Sequence, residues 1–107
     1  MIIYTGDGHM SVAIMRPDRT PFPSGDLLGG SDAEKVRAAE GYVSYCGRYS
    51  YLGASVVHHV DVSFFPNWCG GDQERRVELC GDRLTLEATP QVIQGVEQTA
   101  RLVWERA

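Results

Sequence analysis

Lysine is almost missing from this chain: Lys35 stands alone beside nine arginines. The cations are therefore forked, planar donors rather than point charges, although a GC-rich coding sequence accounts for the same bias. Cysteine is scarce as well. Cys46, Cys69 and Cys80 are an odd number and form no Cys-x-x-Cys pair, which argues against a disulfide framework and a cysteine-based zinc site. Reduced thiols point to the cytoplasm. No apolar run approaches the roughly 18 residues that span a bilayer, and no basic segment followed by an apolar one opens the chain. A cytoplasmic protein without a membrane partner is expected. Surplus positive charge is also lacking. A net charge of −4 argues against a phosphate-backbone binder, so no nucleic-acid partner is expected.

What is present suits one globular domain spanning residues 1–107. Hydrophobic residues make up 43% of the sequence and charged residues 22%, close to the average for folded domains. A chain of this size buries about 65% of its unfolded surface, so its core is modest.

The periodicity along the chain is mostly two. Ile2-Ile3-Tyr4-Thr5, the turn signal Gly6-Asp7-Gly8 and the alternating run His9 to Arg16 read as a β-hairpin with Met10, Val12 and Ile14 on one face. Gly6-x-Gly8-x-x-Ser11 lacks the third glycine of a dinucleotide loop and leads into a strand, so it is not one. Pro17 to Gly30 is too rich in proline and glycine for regular structure; Phe22, Leu27 and Leu28 predict an ordered flap that covers part of the fold. Ser31 and Glu34 form a capping box for a helix from Asp32 to about Tyr45, with Gly41 weakening its second half. Strands follow at Arg48–Tyr51, Val56–Phe65, Glu74–Cys80 and Arg83–Glu87. After a loop with Pro90 and Gly95, the last strand is Gln98–Glu105, where Ala100, Leu102 and Trp104 share a face. About seven strands in sequential hairpins and one helix predict an all-β antiparallel barrel, closed or nearly so.

The stretches Ile3-Tyr4-Thr5-Gly6-Asp7-Gly8-His9-Met10-Ser11-Val12, Met15-Arg16-Pro17-Asp18-Arg19 and Gly41-Tyr42-Val43-Ser44-Tyr45 resemble the bacterial and fungal lipocalin-like domain family. So do Val57-His58-His59-Val60-Asp61-Val62-Ser63, Pro66-Asn67-Trp68 and Arg101-Leu102-Val103-Trp104-Glu105-Arg106. The resemblance covers nearly the whole chain and implies a calycin-type barrel with an internal cavity. It brings no settled activity. Members usually begin with a further strand of Gly-Thr-Trp type, so the likeness also implies a barrel lacking its first strand here. A homodimer is the expected partner for the edge so exposed.

His58, Val60, Val62 and Phe64 alternate with His59, Asp61 and Ser63. Adjacent histidines on a strand point to opposite faces, so the pair is not a metal site, and none is expected. The face with His58 reads as interior, with His58 either a satisfied core histidine or a polar handle in an apolar pocket. The face with His59 and Asp61 reads as solvated, or else as a polar strip in which His59 is an acid/base tuned by Asp61. Trp68, ahead of Gly70-Gly71, either caps the barrel mouth or anchors its loop. Arg75-Arg76 offers one inward guanidinium or an outward pair among Glu74 and Glu78. The leading expectation is a binding protein for a small hydrophobic or amphipathic molecule, without a cofactor. Its expected ligand contacts are Tyr4, Val12, Tyr49, His58, Val60, Phe64, Trp68, Arg76 and Trp104. One alternative is a small-metabolite isomerase, cyclase or hydrolase with His58, His59 or Asp61 as catalytic candidates. The other is a structural or oligomerisation module.

Overall fold

A computed structural model describes all 107 residues. Seven antiparallel strands form one sheet in the order β1 (Ile2–Tyr4), β2 (His9–Met15), β3 (Tyr42–Tyr51), β4 (Ser55–Ser63), β5 (Asp72–Cys80), β6 (Arg83–Ala88) and β9 (Arg101–Glu105). The sheet coils into a nearly closed barrel. Ile2 of β1 and Trp104 of β9 reach one interior cavity, although their strands do not pair. A separate small hairpin, β7 (Gln91–Ile93) with β8 (Val96–Gln98), stands where a loop and the start of the last strand are expected. Gln94 and Gly95 both have positive φ at its turn, the backbone that a tight hairpin requires.

The helix is shorter than its sequence suggests. It runs from Asp32 to Glu40, and Gly41 ends it. The capping box is present: Glu34 N–H donates to Ser31 Oγ at 3.2 Å and Ser31 N–H to Glu34 Oε1 at 2.8 Å. No residue of the helix is buried, so packing does not extend it past the glycine. Tyr42 to Tyr45 instead join β3 and pair with Met15 to Val12. Aromatic and β-branched residues beside a waiting edge gain a ladder there, and the helix loses them.

Inward residues follow a consistent register. Tyr4 faces Met10, Val12 faces Tyr45, Tyr49 faces His58, and Val56 faces Arg75. Met10, Val12, Tyr45 and Val60 form the buried cluster, against which Ile2, Tyr4, Ile14, Tyr49, Trp68 and Trp104 pack. Removing a valine or methionine side chain of this kind from water contributes about 1.5–3 kcal/mol.

One irregularity re-aims part of β4. Cys46 pairs with Val62 but Gly47 with Val60, leaving Asp61 as the extra residue of a β-bulge. A Cβ at Gly47 would overlap the carbonyl oxygen of His59, so the bulge needs glycine opposite it. The bulge inverts the alternation. Val60 is 2% exposed as expected, but Val62, expected inside, is 63% exposed, while Ser63 turns inward opposite Tyr45. On its other side Val60 leaves the ladder: its N–H donates to Gly71 O at 2.9 Å, and its carbonyl accepts from Gly70 N–H at 2.8 Å. These bonds fix the loop that carries Trp68.

The segment 17–30 does not cover the barrel with its leucines. Leu27 and Leu28 are 92% and 83% exposed. Phe22 is half-buried, stacked against Gly30. No helix is long and apolar enough to cross a membrane.

Candidate functional site

The coiled sheet encloses a cavity of about 620 Å³, within the range of small-molecule sites. Its walls come from inward residues of all seven strands of the sheet: Ile2, Val12 and Ile14, then Tyr45 and His58, then Arg75, Leu86, Ala88, Leu102 and Trp104. Its mouth is framed by Ala39 and Glu40 at the helix end, by Phe64, Phe65, Pro66 and Trp68, and by Gln91, Val92 and Ile93 of the small hairpin. Seventeen of the cavity's 22 lining residues are hydrophobic, so the polar ones decide what else it can recognise.

His58 is 1% exposed and has a tyrosine on each ring nitrogen. The Tyr4 hydroxyl lies 2.6 Å from Nε2 and the Tyr45 hydroxyl 2.6 Å from Nδ1. Burial, with the nearby Arg75 charge and then His59, pushes the His58 pKa down to about 4. Burial raises the Tyr4 pKa, and Tyr45 coulombically reinforces it. Burial also raises the Tyr45 pKa, against the opposing pull of Arg75. The trio is therefore neutral at pH 7. A neutral imidazole donates at one nitrogen and accepts at the other, so one tyrosine accepts a hydrogen bond and the other donates one. With both nitrogens occupied, His58 lacks the free lone pair of a general base. The arrangement positions hydroxyl groups and keeps the wall rigid.

Arg75 is the charged group of the interior, 8% exposed. Its Nη1 donates to the Glu74 carbonyl at 2.9 Å and its Nη2 to Gln73 Oε1 at 3.1 Å. Gln91 Nε2, 3.3 Å away, donates to the same Gln73 oxygen. Two buried side-chain polar atoms have no partner: Ser63 Oγ and Trp104 Nε1.

The expected contact residues divide into three groups. Val12, His58, Phe64, Trp68 and Trp104 line the cavity, Phe64 half-exposed at its mouth and edge-on to Tyr42. Tyr4, Tyr49 and Val60 lie behind the wall: Tyr4 holds His58, Tyr49 packs edge-on against Tyr4 and donates to the Thr5 carbonyl at 2.8 Å, and Val60 is core. Arg76 lies outside. Strand alternation points it to solvent and places Arg75 inside. Arg75 shares its parity with Val77 and Leu79, so the apolar neighbours marked it as the inward arginine. Tyr45 was hidden within the expected helix.

Of the catalytic candidates, His59 is on the outer face, its Nδ1 2.8 Å from Asp72 Oδ1 and its Nε2 2.8 Å from Ser50 Oγ. Its acidic neighbour is Asp72, across the ladder, because the bulge turns Asp61 away to solvent. The strip His59-Asp61-Ser63 is thus not a common face. A smaller hollow of about 190 Å³ between the helix and the segment after β2 mixes Arg16, Arg19 and Arg37 with Asp18, Glu34 and Glu40, so its charges cancel.

Comparison with known proteins agrees with this architecture. The chain matches the lipocalin-like domain family over residues 1–107. It is similar to the 4'-hydroxy-3'-methoxypropiophenone carrier protein of Aspergillus oryzae, 36% identical over 106 aligned residues that cover 91% of this chain and 96% of that protein. No solved structure matches it.

Proposed function

Because the chain belongs to the lipocalin-like domain family, we propose that it is a small-molecule carrier whose barrel holds a largely apolar molecule without transforming it. The observation that carries this reading is the cavity of about 620 Å³ with its predominantly hydrophobic wall. A filled interior would suit a structural module, and an enzyme using a cavity histidine as base would need a free ring nitrogen, whereas both His58 nitrogens are engaged. The similar protein from Aspergillus is named for carrying 4'-hydroxy-3'-methoxypropiophenone. An aromatic molecule of that size suits walls built from Tyr45, Phe64, Trp68 and Trp104.

Both tryptophans of the chain, Trp68 and Trp104, line the cavity. Intrinsic fluorescence therefore reports its occupancy. Titration with 4'-hydroxy-3'-methoxypropiophenone is expected to give a saturable change, and native mass spectrometry of freshly purified protein to show a retained ligand. An unchanged spectrum together with a ligand-free mass would defeat the carrier reading.

The carrier is further proposed to be a cytoplasmic homodimer. Three free cysteines suit a reducing compartment. Strands β1 and β9 each have a neighbour on one side only, which supports pairing between subunits.

A further inference from the structure

Buried arginines are as a rule paired with carboxylates, and Arg75 is not. No acidic side chain lies within 4 Å of its guanidinium among the ion pairs of the molecule. Its partners, the Glu74 carbonyl, the Gln73 amide oxygen and the Tyr45 hydroxyl, are neutral, and the amide oxygen is already shared with Gln91. A guanidinium has five N–H groups, so these partners leave part of its donor capacity unused. Arg75 is itself one of the residues that line the cavity. The bonds to Gln73 and Glu74 meanwhile hold the fork in place.

The rest of the wall supplies no buried counter-charge. The Trp104 indole N–H, which has no acceptor, is sealed within the wall and adds no counter-charge. The one acidic residue of the lining, Glu40, is exposed at the mouth. One desolvated positive charge thus borders an apolar space in which no buried anion answers it. A purely hydrocarbon ligand would leave that charge unpaired and further dehydrated, at a cost.

We propose that the cavity selects anionic amphipaths: molecules with an apolar, ring-sized body and one carboxylate, sulfonate or phenolate group, which the Arg75 fork binds through charge-assisted hydrogen bonds. The proposal rests on the carrier reading and narrows its ligand class. The body would lie among Leu86, Leu102, Trp68 and Trp104, with the anion at Arg75.

The test compares two fluorescent probes of matched body on the intact protein: anilinonaphthalene sulfonate and N-phenylnaphthylamine, which lacks the sulfonate. The sulfonate is expected to bind about tenfold tighter or more, the scale of a charge-assisted hydrogen bond. Energy transfer from the two tryptophans should place it in the cavity. Arg75→Met should abolish the difference, Arg75→Lys should retain part of it, and Arg76→Met, on the outer face, should leave it intact. Should Arg75→Met fail to fold, the wild-type ratio, the energy transfer and Arg75→Lys still decide. Equal affinity of both probes, or a bound sulfonate without energy transfer, overturns the anion preference and leaves the carrier reading standing. Failure of both probes to bind overturns the carrier reading and this inference together.

Discussion

The Tyr45 hydroxyl reaches His58 Nδ1 at 2.6 Å, although Tyr45 pairs across the ladder with Ser63 and His58 pairs with Tyr49. The contact is diagonal, between two strands whose register shifts at the Gly47–Asp61 bulge. It ties the ring from one side while Tyr4 of β1 ties it from the other, so three strands meet at one imidazole. Tyr45→Phe or Tyr4→Phe leaves a buried ring nitrogen without a partner. Each is expected to cost about 1–3 kcal/mol, measured by urea denaturation. Because a single ring links the two hydroxyls, the double variant should depart from the sum of the singles. Additivity would show that His58 is not held from both sides.

The neutrality of His58 makes stability depend on pH. The unfolded chain takes up a proton at this histidine near pH 6.5, and the folded chain does not until about pH 4. Stability from this group is therefore complete above pH 6.5 and is lost as the pH falls towards 4, by about 3 kcal/mol in total. Urea titrations at stepped pH should show this slope, and His58→Gln should remove most of it. An unchanged slope in the variant would assign the acid sensitivity to other groups.

The readable and unreadable parts of this fold have separate physical causes. Period-two runs bounded by glycine turns made β1, β2, β5 and β6 legible, and Ala100, Leu102 and Trp104 announced the inner face of β9. The capping box marked the helix start. Its end was misplaced because Val36, Ala39 and Val43 keep helical spacing past Gly41, while β2, distant in sequence, claims Tyr42 to Tyr45. With Tyr45 misplaced, the diagonal bond to His58 was unreadable. The side chain of Asp61 shows nothing of the bulge. The signal lies opposite it at Gly47, and only the pairing brings the two together. Of the candidate site, the half that follows simple alternation, Val12, His58 and Trp104, was legible. Arg75 could have been read by parity, and the small hairpin with Val92 and Ile93 was masked by its short strands.

The bulge can be tested by two substitutions that plain alternation would treat alike. Val60→Asp places a carboxylate in the buried cluster and is expected to abolish folding or cost more than about 3 kcal/mol. Val62→Asp places it in solvent and should stay within about 0.5 kcal/mol of the parent. Gly47→Ala should be as damaging as Val60→Asp, since its methyl group meets the backbone of His59. Thermal melts of the three variants check this. Equal damage from the two aspartates would mean that β4 alternates without interruption.

The open edges of the sheet lead to a prediction about association. β1 pairs only with β2, and β9 only with β6. Ile3 and Val103, on the outer faces of these edge strands, are 49% and 54% exposed. Unpaired edges carrying apolar outer residues and no lysine favour pairing with another chain. Just 11 of 107 residues are buried within the subunit, so a second copy would add substantially to what the core provides. Sedimentation equilibrium at micromolar concentration should therefore report a dimer, with an interface above about 1,000 Å². Ile3→Lys and Val103→Lys place charges beside the edges without touching the interior, and the one that lies in the interface should shift the equilibrium to monomer. If the dimer also stabilises the fold, the melting temperature of the parent should rise with protein concentration and that of the monomeric variant should not. A parent that sediments as a monomer, with a concentration-independent melting temperature, would show that the two edges are tolerated within a single nearly closed barrel.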